Sequence, residues 1–385
     1  MDRLVITYVA PSMAKDLHFS LTDLGMIFGV LGVSWGTFSF FAGGILSDKV
    51  GKKKIIVPAT LIFSVLSWVT GAVSCFAQLL VVRGIMGAAE GSYLAPATAT
   101  LSELAGDKRR GWIVGLHQSA YPLWGGLFAA IYVRQVVTTL DWRWVFYLTL
   151  IPGLVLAVVH WRFIKEPPSV VQRSQVPHSE KLSWTEPFRN RNIVLTTIIM
   201  LLFMAWTNVF IAFGTIYLTQ ARQLTLGLAV TIVSAWGIGA FLGMPVLSAI
   251  SDRVGRRPTL VIGCLGAGVF TILYATAGGT SASITVLYIF MLFAGFFGQG
   301  IYPLFSAIIP SESVDVKIVA TAISIPTALG EIFGGFAPAI AGLVAQHLGL
   351  VVVFIGAGTA LVVASGLACG VMETLKLKGK VGVGQ

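Results

Sequence analysis

The stretch GGILSDKVGKKK, Gly43 to Lys54, recurs later in the sequence in a similar form. The second copy is LSAISDRVGRR, Leu247 to Arg257. Each lies where one long apolar segment ends and the next begins. In both, an acid, a base, one spacer, a glycine and two or more bases follow in the same order. The two acids, Asp48 and Asp252, are 204 residues apart. We therefore predict that the two halves of the chain are copies of one design.

Each copy combines a residue that allows a tight turn with residues that resist crossing a bilayer. Glycine permits the backbone to reverse sharply, and lysines and arginines hold a loop on the cytoplasmic side of a membrane. Two accidental basic loops are the alternative, and the matched order argues against it. The motif that we predict to act as a conformational gate comprises Gly44, Asp48, Lys49, Gly51, Lys52, Lys53, Asp252, Arg253, Gly255, Arg256 and Arg257.

The composition is that of a polytopic membrane protein. Of 385 residues, 56% are apolar and 11% charged, and the mean hydropathy is +0.86, whereas soluble domains carry roughly 25% charged residues. A net charge of +10 would point to nucleic acid in a soluble protein, but here the bases lie between apolar spans. Three separated cysteines predict neither a disulfide framework nor a metal site.

Twelve apolar spans are predicted, and most reach the roughly 20 residues that a helix needs to cross a bilayer. They lie near residues 4–13, 24–46, 55–75, 79–102, 112–136, 143–163, 193–218, 226–250, 258–278, 284–309, 318–345 and 350–372. We therefore expect an all-α membrane protein of two six-helix bundles. The predicted division is a first bundle at 1–163, a central cytoplasmic loop at 164–191, a second bundle at 192–373 and a cytoplasmic tail at 374–385.

The distribution of basic residues predicts the orientation. Of 26 lysines and arginines, 20 lie in or border the even-numbered connections and the C-terminal tail. Four lie in the opposite set, Lys15, Arg134, Arg143 and Arg222, and the remaining two, Arg3 and Arg83, lie inside spans. Because basic loops stay on the cytoplasmic side, both termini are predicted to be cytoplasmic, in a plasma or inner membrane.

The first span is short. About ten apolar residues separate Met1 from Lys15, and ten helical residues rise only about 15 Å. A signal peptide would need a basic start, a longer apolar run and a small-residue cleavage site. We therefore expect a transmembrane helix that is truncated at its N-terminus.

Charged side chains inside the spans are candidate site residues, because a charge at the bilayer centre costs about 2.5–3.5 kcal/mol on insertion scales. They are Asp2, Arg3, Arg83, Glu90 and Glu331, together with His117 in the fifth span. Arg83 and Glu90 share one helix face, about 10 Å apart along the axis and too far for a direct pair. Two interpretations stay open: interhelical ion pairs that only hold the bundle together, or an anion site in which arginine binds a carboxylate and an acid carries a proton.

The two repeated stretches resemble the loop between helices two and three of the major facilitator superfamily and its second copy between helices eight and nine. The second copy departs from the pattern, since Ser248 stands where Gly44 stands in the first. The resemblance covers nearly the whole chain. It implies a major facilitator fold with a substrate site between two halves, working by alternating access.

Two segments, MDRLVITYVAP at 1–11 and RGIMGAAEGSYLAP at 83–96, are similar to the first and fourth helices of the anion:cation symporter family. Members of that family move organic anions, such as sugar acids, with protons or sodium. The resemblance places Asp2 and Arg3 near mid-membrane and implies that Arg3 holds the substrate carboxylate. It also implies that Asp2 and Glu90 are protonation sites and that Arg83 is a coupling partner.

The second half agrees less well with that family. In PTALGEIFGGFAPAIAG, Glu331 stands where a neutral amide is more usual. Either it is a further proton carrier or the substrate is not a simple anion. His117 either shuttles protons, its unperturbed pKa being near 6.5, or forms a hydrogen bond between helices, which is more common.

Aromatic and amide side chains within the spans are candidates for lining the substrate site, and packing inside a bundle is the alternative for each. They are Trp35, Gln118, Tyr121, Trp206, Asn208, Gln299 and Tyr302. As a set they suit a polyhydroxylated or aromatic carboxylate.

The predicted function is secondary active symport of a small organic anion with protons, or with sodium, by a monomer in the lipid bilayer. A proton-coupled drug or multidrug antiporter of the same superfamily is the alternative, with Glu90 and Glu331 as exchange sites. Pro122 and the glycines after it partly match a signature of those antiporters, but Tyr121 replaces the glycine expected before the proline. The sequence has no nucleotide-binding loop, and we expect no enzyme activity, cofactor, metal or nucleic-acid partner.

Overall fold

The computed structural model describes residues 5–6, 9, 13, 16–18, 21–105, 109–137, 139–166, 185–277 and 284–375. The candidate residues Asp2 and Arg3 lie outside the described residues, as does most of the first predicted span.

The helices before the central polar stretch follow the predicted spans closely. They are α1 (Leu21–Phe38), continued by a π-helical segment (Ser39–Leu46), α2 (Ser47–Val50), α3 (Lys53–Ala72), α4 (Phe76–Leu104), α5 (Arg110–Ala120), continued by a π-helical segment (Tyr121–Phe128), α6 (Ala129–Val137) and α7 (Trp142–Phe163).

The helices after the polar stretch form a second series. They are α8 (Arg191–Ile216), continued by a π-helical segment (Tyr217–Ala221), α9 (Leu226–Val254), α10 (Arg256–Thr276), α11 (Ile284–Gly300), a π-helical segment (Leu304–Ile308), α12 (Ile309–Glu312), α13 (Val319–Gly334), α14 (Ala337–Leu348) and α15 (Leu350–Ala368). Short 3₁₀ turns at Glu186–Arg189 and Val316–Ile318 precede α8 and α13.

Nine helical segments in the described ranges are long and apolar enough to cross a membrane. A helix satisfies every backbone polar group internally, as a segment in lipid must. The expectation of an all-helical membrane fold is therefore confirmed.

Glycines let pairs of helices approach backbone to backbone. A Cβ added to Gly91 of α4 would lie 2.1 Å from the carbonyl oxygen of Trp35 in α1. A Cβ on Gly295 of α11 would likewise lie 2.2 Å from the carbonyl oxygen of Trp236 in α9. Small residues permit such contacts between membrane helices, and their recurrence 204 residues later supports the predicted repeat.

The span predicted at 318–345 is not one continuous helix. It breaks after Gly334, and α14 begins at Ala337 with Pro338 in its first turn. Proline has no N–H to donate to the carbonyl four residues earlier, which here belongs to Gly334. The amide of Asn208 takes its place, because Nδ2 donates to that oxygen at 2.8 Å.

Candidate functional site at the basic face

The end of the bundle that carries the two repeated loops is here called the basic face. In each loop the turn is made by the glycine that follows the acid, the base and the spacer. Gly51 has φ +113° and Gly255 has φ +121°. This region of backbone space is open to glycine at no steric cost. The turn ends one helix and starts the next within a residue or two. It places the motif acid and the first base before the turn and the remaining bases after it.

The first motif acid binds the start of a helix from the other half of the chain. Asp48 is 6% exposed. Its Oδ2 accepts hydrogen bonds from the backbone N–H of Thr321 at 2.7 Å and from the Thr321 hydroxyl at 2.8 Å. Its Oδ1 accepts from the N–H of Ala320 at 3.3 Å. These residues open α13, so a carboxylate caps the positive end of that helix dipole.

The second motif acid makes the reciprocal contact. Asp252 at the end of α9 accepts from the backbone N–H groups of Gly111 and Trp112, each at 3.0 Å. These residues lie in the first turn of α5, in the half that contains Asp48. Asp48 and Asp252, 204 residues apart, therefore cap the starts of α13 and α5, which are 209 residues apart. Each carboxylate caps a helix that belongs to the other half of the chain.

One base in each copy is buried and paired. Lys52 is 1% exposed and its Nζ forms an ion pair with Glu103 at the end of α4. Arg256 is fully buried. Its guanidinium binds Glu312 at 2.9 Å and Asp252 at 2.5 Å, so it holds two carboxylates where lysine holds one, as its forked donors allow.

The bases on either side are more open to solvent. Lys49, Arg253 and Arg257 are exposed, and Lys53 is half-buried. They are the part of the motif that stays hydrated, as basic residues at a membrane surface do.

A further acid in each half caps the helix after the glycine. Glu166 accepts from the backbone N–H groups of Lys52 at 3.0 Å and Lys53 at 3.2 Å. Glu373 accepts from those of Arg256 at 2.8 Å and Arg257 at 3.1 Å. The start of α3 and the start of α10 thus meet matched carboxylates.

The structure also explains why the second copy lacks the first glycine of the motif. A Cβ on Gly44 would lie 2.3 Å from the Ser324 hydroxyl of α13. In the second copy Ser248 occupies the equivalent place, and a Cβ on Gly115 of α5 would lie 2.7 Å from its hydroxyl. In the first copy the glycine belongs to the motif and the serine to α13. In the second copy the serine belongs to the motif and the glycine to α5, so the close approach of the two helices is kept.

Other contacts between the halves continue from the basic face into the bundle. The Ser102 hydroxyl donates to that of Ser311 at 3.0 Å. Deeper, the Gln118 amide donates to the Ser306 hydroxyl at 3.3 Å. The two halves are therefore closed against each other at this face, and we call the cross-half contacts of Asp48, Asp252 and the Ser102–Ser311 pair the gate.

The charged candidates inside the bundle are buried to different degrees. Arg83 is 1% exposed, and its Nη1 donates to the Met86 sulfur at 3.3 Å. Glu90 and Glu331 are half-buried. Nδ1 of His117 is buried and has no hydrogen-bond partner among the residues that the structure describes.

The predicted lining residues fall into different surroundings. Trp206 is fully buried and its Nε1 donates to Thr271 at 2.9 Å, and Tyr302 packs against Phe203 at 5.5 Å between ring centres. Gln299 donates to the hydroxyl of Thr207 at 3.2 Å. Gln118 donates to Ser306 of the other half, and Asn208 donates to the Gly334 carbonyl at the helix break. Trp35 is 5% and Tyr121 53% exposed.

An ion pair joins helices at the opposite end from the basic face. Asp16 precedes α1 and accepts from Nη1 of Arg143 at 2.6 Å and from Nε1 of Trp142 at 3.3 Å. The hydrogen bond from Arg143 is the main cause that lowers the pKa of Asp16 below its usual value of 3.8.

Sequence reasoning missed the partners of the motif, above all the four acids Glu103, Glu166, Glu312 and Glu373. A signal for them exists. Glu103 and Glu312 are 209 residues apart, and Glu166 and Glu373 are 207 apart, close to the 204-residue spacing of the motif. Aligning the two halves would have paired these acids.

The comparisons with known proteins identify the family and the fold. The family profile of the Major Facilitator Superfamily matches residues 1–314 and 195–378. The fold is similar to the proton:xylose symporter XylE (TM-score 0.78, 16% identity, 97% of this chain and 93% of that one). It is also similar to the E. coli fucose:proton symporter FucP (TM-score 0.73, 15% identity, 95% of each chain).

Three relatives are named as transporters of organic acids. The hexuronate transporter of Bacillus subtilis is 25% identical over 91% of this chain and 85% of its own length. The cis,cis-muconate transport protein of Acinetobacter baylyi is 25% identical over 98% and 91%. The gentisate transporter of Corynebacterium glutamicum is 27% identical over 97% and 84%. The profile match over most of its length shows that the chain belongs to the Major Facilitator Superfamily, and it is a multi-pass membrane transporter, not an enzyme.

Proposed function

We propose that this protein carries a small organic anion, a carboxylate or sugar acid, across a plasma or inner membrane in symport with protons. The observation that carries the proposal is Arg83, a guanidinium that is 1% exposed within the long apolar helix α4. A buried charge in a membrane helix is costly and marks a substrate or ion pathway. The names of the organic-acid relatives support the same substrate class.

Each charged residue has a proposed role. Arg3 binds the substrate carboxylate through its forked donors. Asp2 and Glu90 take up protons when substrate enters, and Glu331 is a further proton carrier. Arg83 pairs with whichever acid is ionised. Trp35, Tyr121, Gln299 and Tyr302 are the proposed neighbours of the substrate.

The gate supplies the conformational part of the cycle. With the basic face as the cytoplasmic face, the closed gate belongs to the half of the cycle in which the site is shut off from the cytoplasm. Substrate and protons together favour breaking the contacts of Asp48 and Asp252 with the helix starts, and the site then opens inward. The protein works as a monomer, with one site between its halves.

A proteoliposome assay tests the proposal. An inward acid gradient should drive accumulation of a labelled hexuronate, cis,cis-muconate or gentisate, and replacing sodium by potassium should leave that uptake unchanged. Glu90→Gln should abolish gradient-driven accumulation while sparing substrate exchange, because a neutral amide binds but cannot carry a proton. Glu186→Gln, at an exposed acid outside the gate, is the matched control.

Uptake indifferent to the gradient and to Arg3→Ala would contradict the proposal, and proton-driven export of cationic drugs would favour the antiporter instead.

A further inference from the structure

A cavity of about 410 Å³ lies at the rim of the basic face, where the two halves meet. It is lined by Arg109 and Trp112 at the start of α5 and by Ala249, Asp252 and Arg253 near the end of α9. Both arginines are exposed, and Trp112 is 42% exposed. Each half of the chain therefore contributes one guanidinium to a single cavity.

The cavity has an excess of positive charge. Its carboxylate, Asp252, is already engaged by the N–H groups of Gly111 and Trp112 and by Arg256. Within the described ranges, Arg109 and Arg253 make no ion pair with an acid. Two guanidiniums thus face the cavity without a neutralising group from that part of the chain, an arrangement that suits a phosphate.

Apolar side chains lead from the arginines toward the membrane interior. On α5, Trp112 is followed one turn later by Leu116, which is 50% exposed. On α9, Ala249 is preceded one turn earlier by Val246, which is 40% exposed. A Cβ on Gly115 would lie 2.6 Å from the backbone oxygen of Met244, so α5 and α9 are in contact about one turn beyond the cavity.

We propose that this cavity binds an anionic phospholipid. Arg109 and Arg253 bind the headgroup phosphate, the Trp112 ring sits at the interface as tryptophans do, and an acyl chain runs along Leu116 and Val246. Basic pockets between transmembrane helices on the cytoplasmic side suit such headgroups. Because the two arginines come from different halves, the bound lipid bridges them and stabilises the closed gate.

Native mass spectrometry of the purified full chain tests the binding site. Phosphatidylglycerol should be retained at least tenfold more tightly than phosphatidylcholine of the same chain length. Arg109→Gln with Arg253→Gln should remove that preference, Arg109→Lys with Arg253→Lys should restore part of it, and Lys54→Gln, at an exposed base of the first copy, should leave it intact. An equal preference in the double glutamine variant, or displacement of the lipid by millimolar inorganic phosphate, would overturn the proposal.

A labelling experiment tests the bridging role. In a variant without native cysteines, Ser102→Cys lies inside the gate, where the serine is 2% exposed. Its reaction with a maleimide should be several-fold slower in phosphatidylglycerol nanodiscs than in phosphatidylcholine nanodiscs. The difference should vanish in the double glutamine variant, whose thermal stability in phosphatidylcholine should match that of the parent. A lipid-independent labelling rate in the parent would contradict the bridging role.

Discussion

At the scale of single residues, the motif acids act as charged caps on helices that belong to the other half of the chain. Asp48 accepts three hydrogen bonds at the start of α13, and Asp252 accepts two at the start of α5. Hydrogen bonds to charged groups contribute about 1.5–3 kcal/mol, and a carboxylate at a helix N-terminus gains further from the helix dipole. We therefore propose that these few contacts set the balance between the closed and open forms of the gate.

Neutralising either acid should loosen the gate. We expect Asp48→Asn or Asp252→Asn to raise the maleimide labelling rate of a cysteine at position 102 by about tenfold, since about 1.4 kcal/mol corresponds to a factor of ten. Each substitution keeps the size of the side chain and removes its charge. Glu186→Gln should leave the rate unchanged, and an unchanged rate in both asparagine variants would refute the capping role.

The buried ion pair of the first copy makes a prediction about stability. Lys52→Gln leaves Glu103 without its partner in a buried place, and breaking such a pair costs about 3–5 kcal/mol. The double variant Lys52→Gln with Glu103→Gln should recover much of the lost Tm, because no uncompensated charge remains. Thermal unfolding of the two single variants and the double variant measures this, and additive losses would show that the pair is not coupled.

The exposed ion pair between Asp16 and Arg143, at the end of the bundle opposite the basic face, predicts that the stability of the fold depends on pH in the acid range. The folded-state pKa of Asp16 is lowered by Arg143, so the pair stabilises the fold above the ordinary carboxyl pKa of 3.8, and this stabilisation is lost as the pH falls below it. Asp16→Asn should therefore lower Tm slightly at pH 7, and this difference should shrink as the pH falls below 3.8. A pH dependence of transport between pH 5 and 8 should be unchanged in this variant, and a change there would place Asp16 in the coupling machinery.

At the scale of helices, the break between α13 and α14 shows how a sequence pattern can mislead. The apolar run from 318 to 345 predicts one span, because its hydropathy does not fall at the break. The signal that was present is local: Gly334 and Gly335 followed by Pro338, which cannot donate to the Gly334 carbonyl. What no local pattern could give is the side chain that replaces the missing donor, since Asn208 lies on another helix.

A double-mutant cycle tests this helix break. Asn208→Ala leaves the buried Gly334 carbonyl without its donor and should cost about 1–3 kcal/mol of stability. In a Pro338→Ala background, the new backbone N–H can serve the same oxygen, so Asn208→Ala should cost markedly less. Thermal unfolding of the four variants measures the coupling. An equal cost in both backgrounds would mean that Asn208 stabilises the fold by some other contact.

At the scale of the whole molecule, the fold was predictable and the site only in part. Composition, span lengths and the doubled motif predicted the helical membrane fold, because hydropathy alone decides which segments can enter lipid. The acids, turns and bases of the motif were found for the same local reasons. Their partners were not, since Thr321 lies 273 residues after Asp48 and Gly111 lies 141 before Asp252. The roles of Asp2 and Arg3 stay predictions of the family resemblance.

In the proposed mechanism the gate opens and closes during each transport cycle. The hydroxyls of Ser102 and Ser311 lie 3.0 Å apart across the halves, so cysteines at these positions should form a disulfide in the closed form. The most direct test is uptake by a variant that lacks Cys75, Cys264 and Cys369 and carries both substitutions. Oxidation should abolish uptake of the labelled carboxylate and reduction should restore it, with neither single-cysteine variant affected. Undiminished uptake by the fully cross-linked protein would show that transport does not require the gate to open.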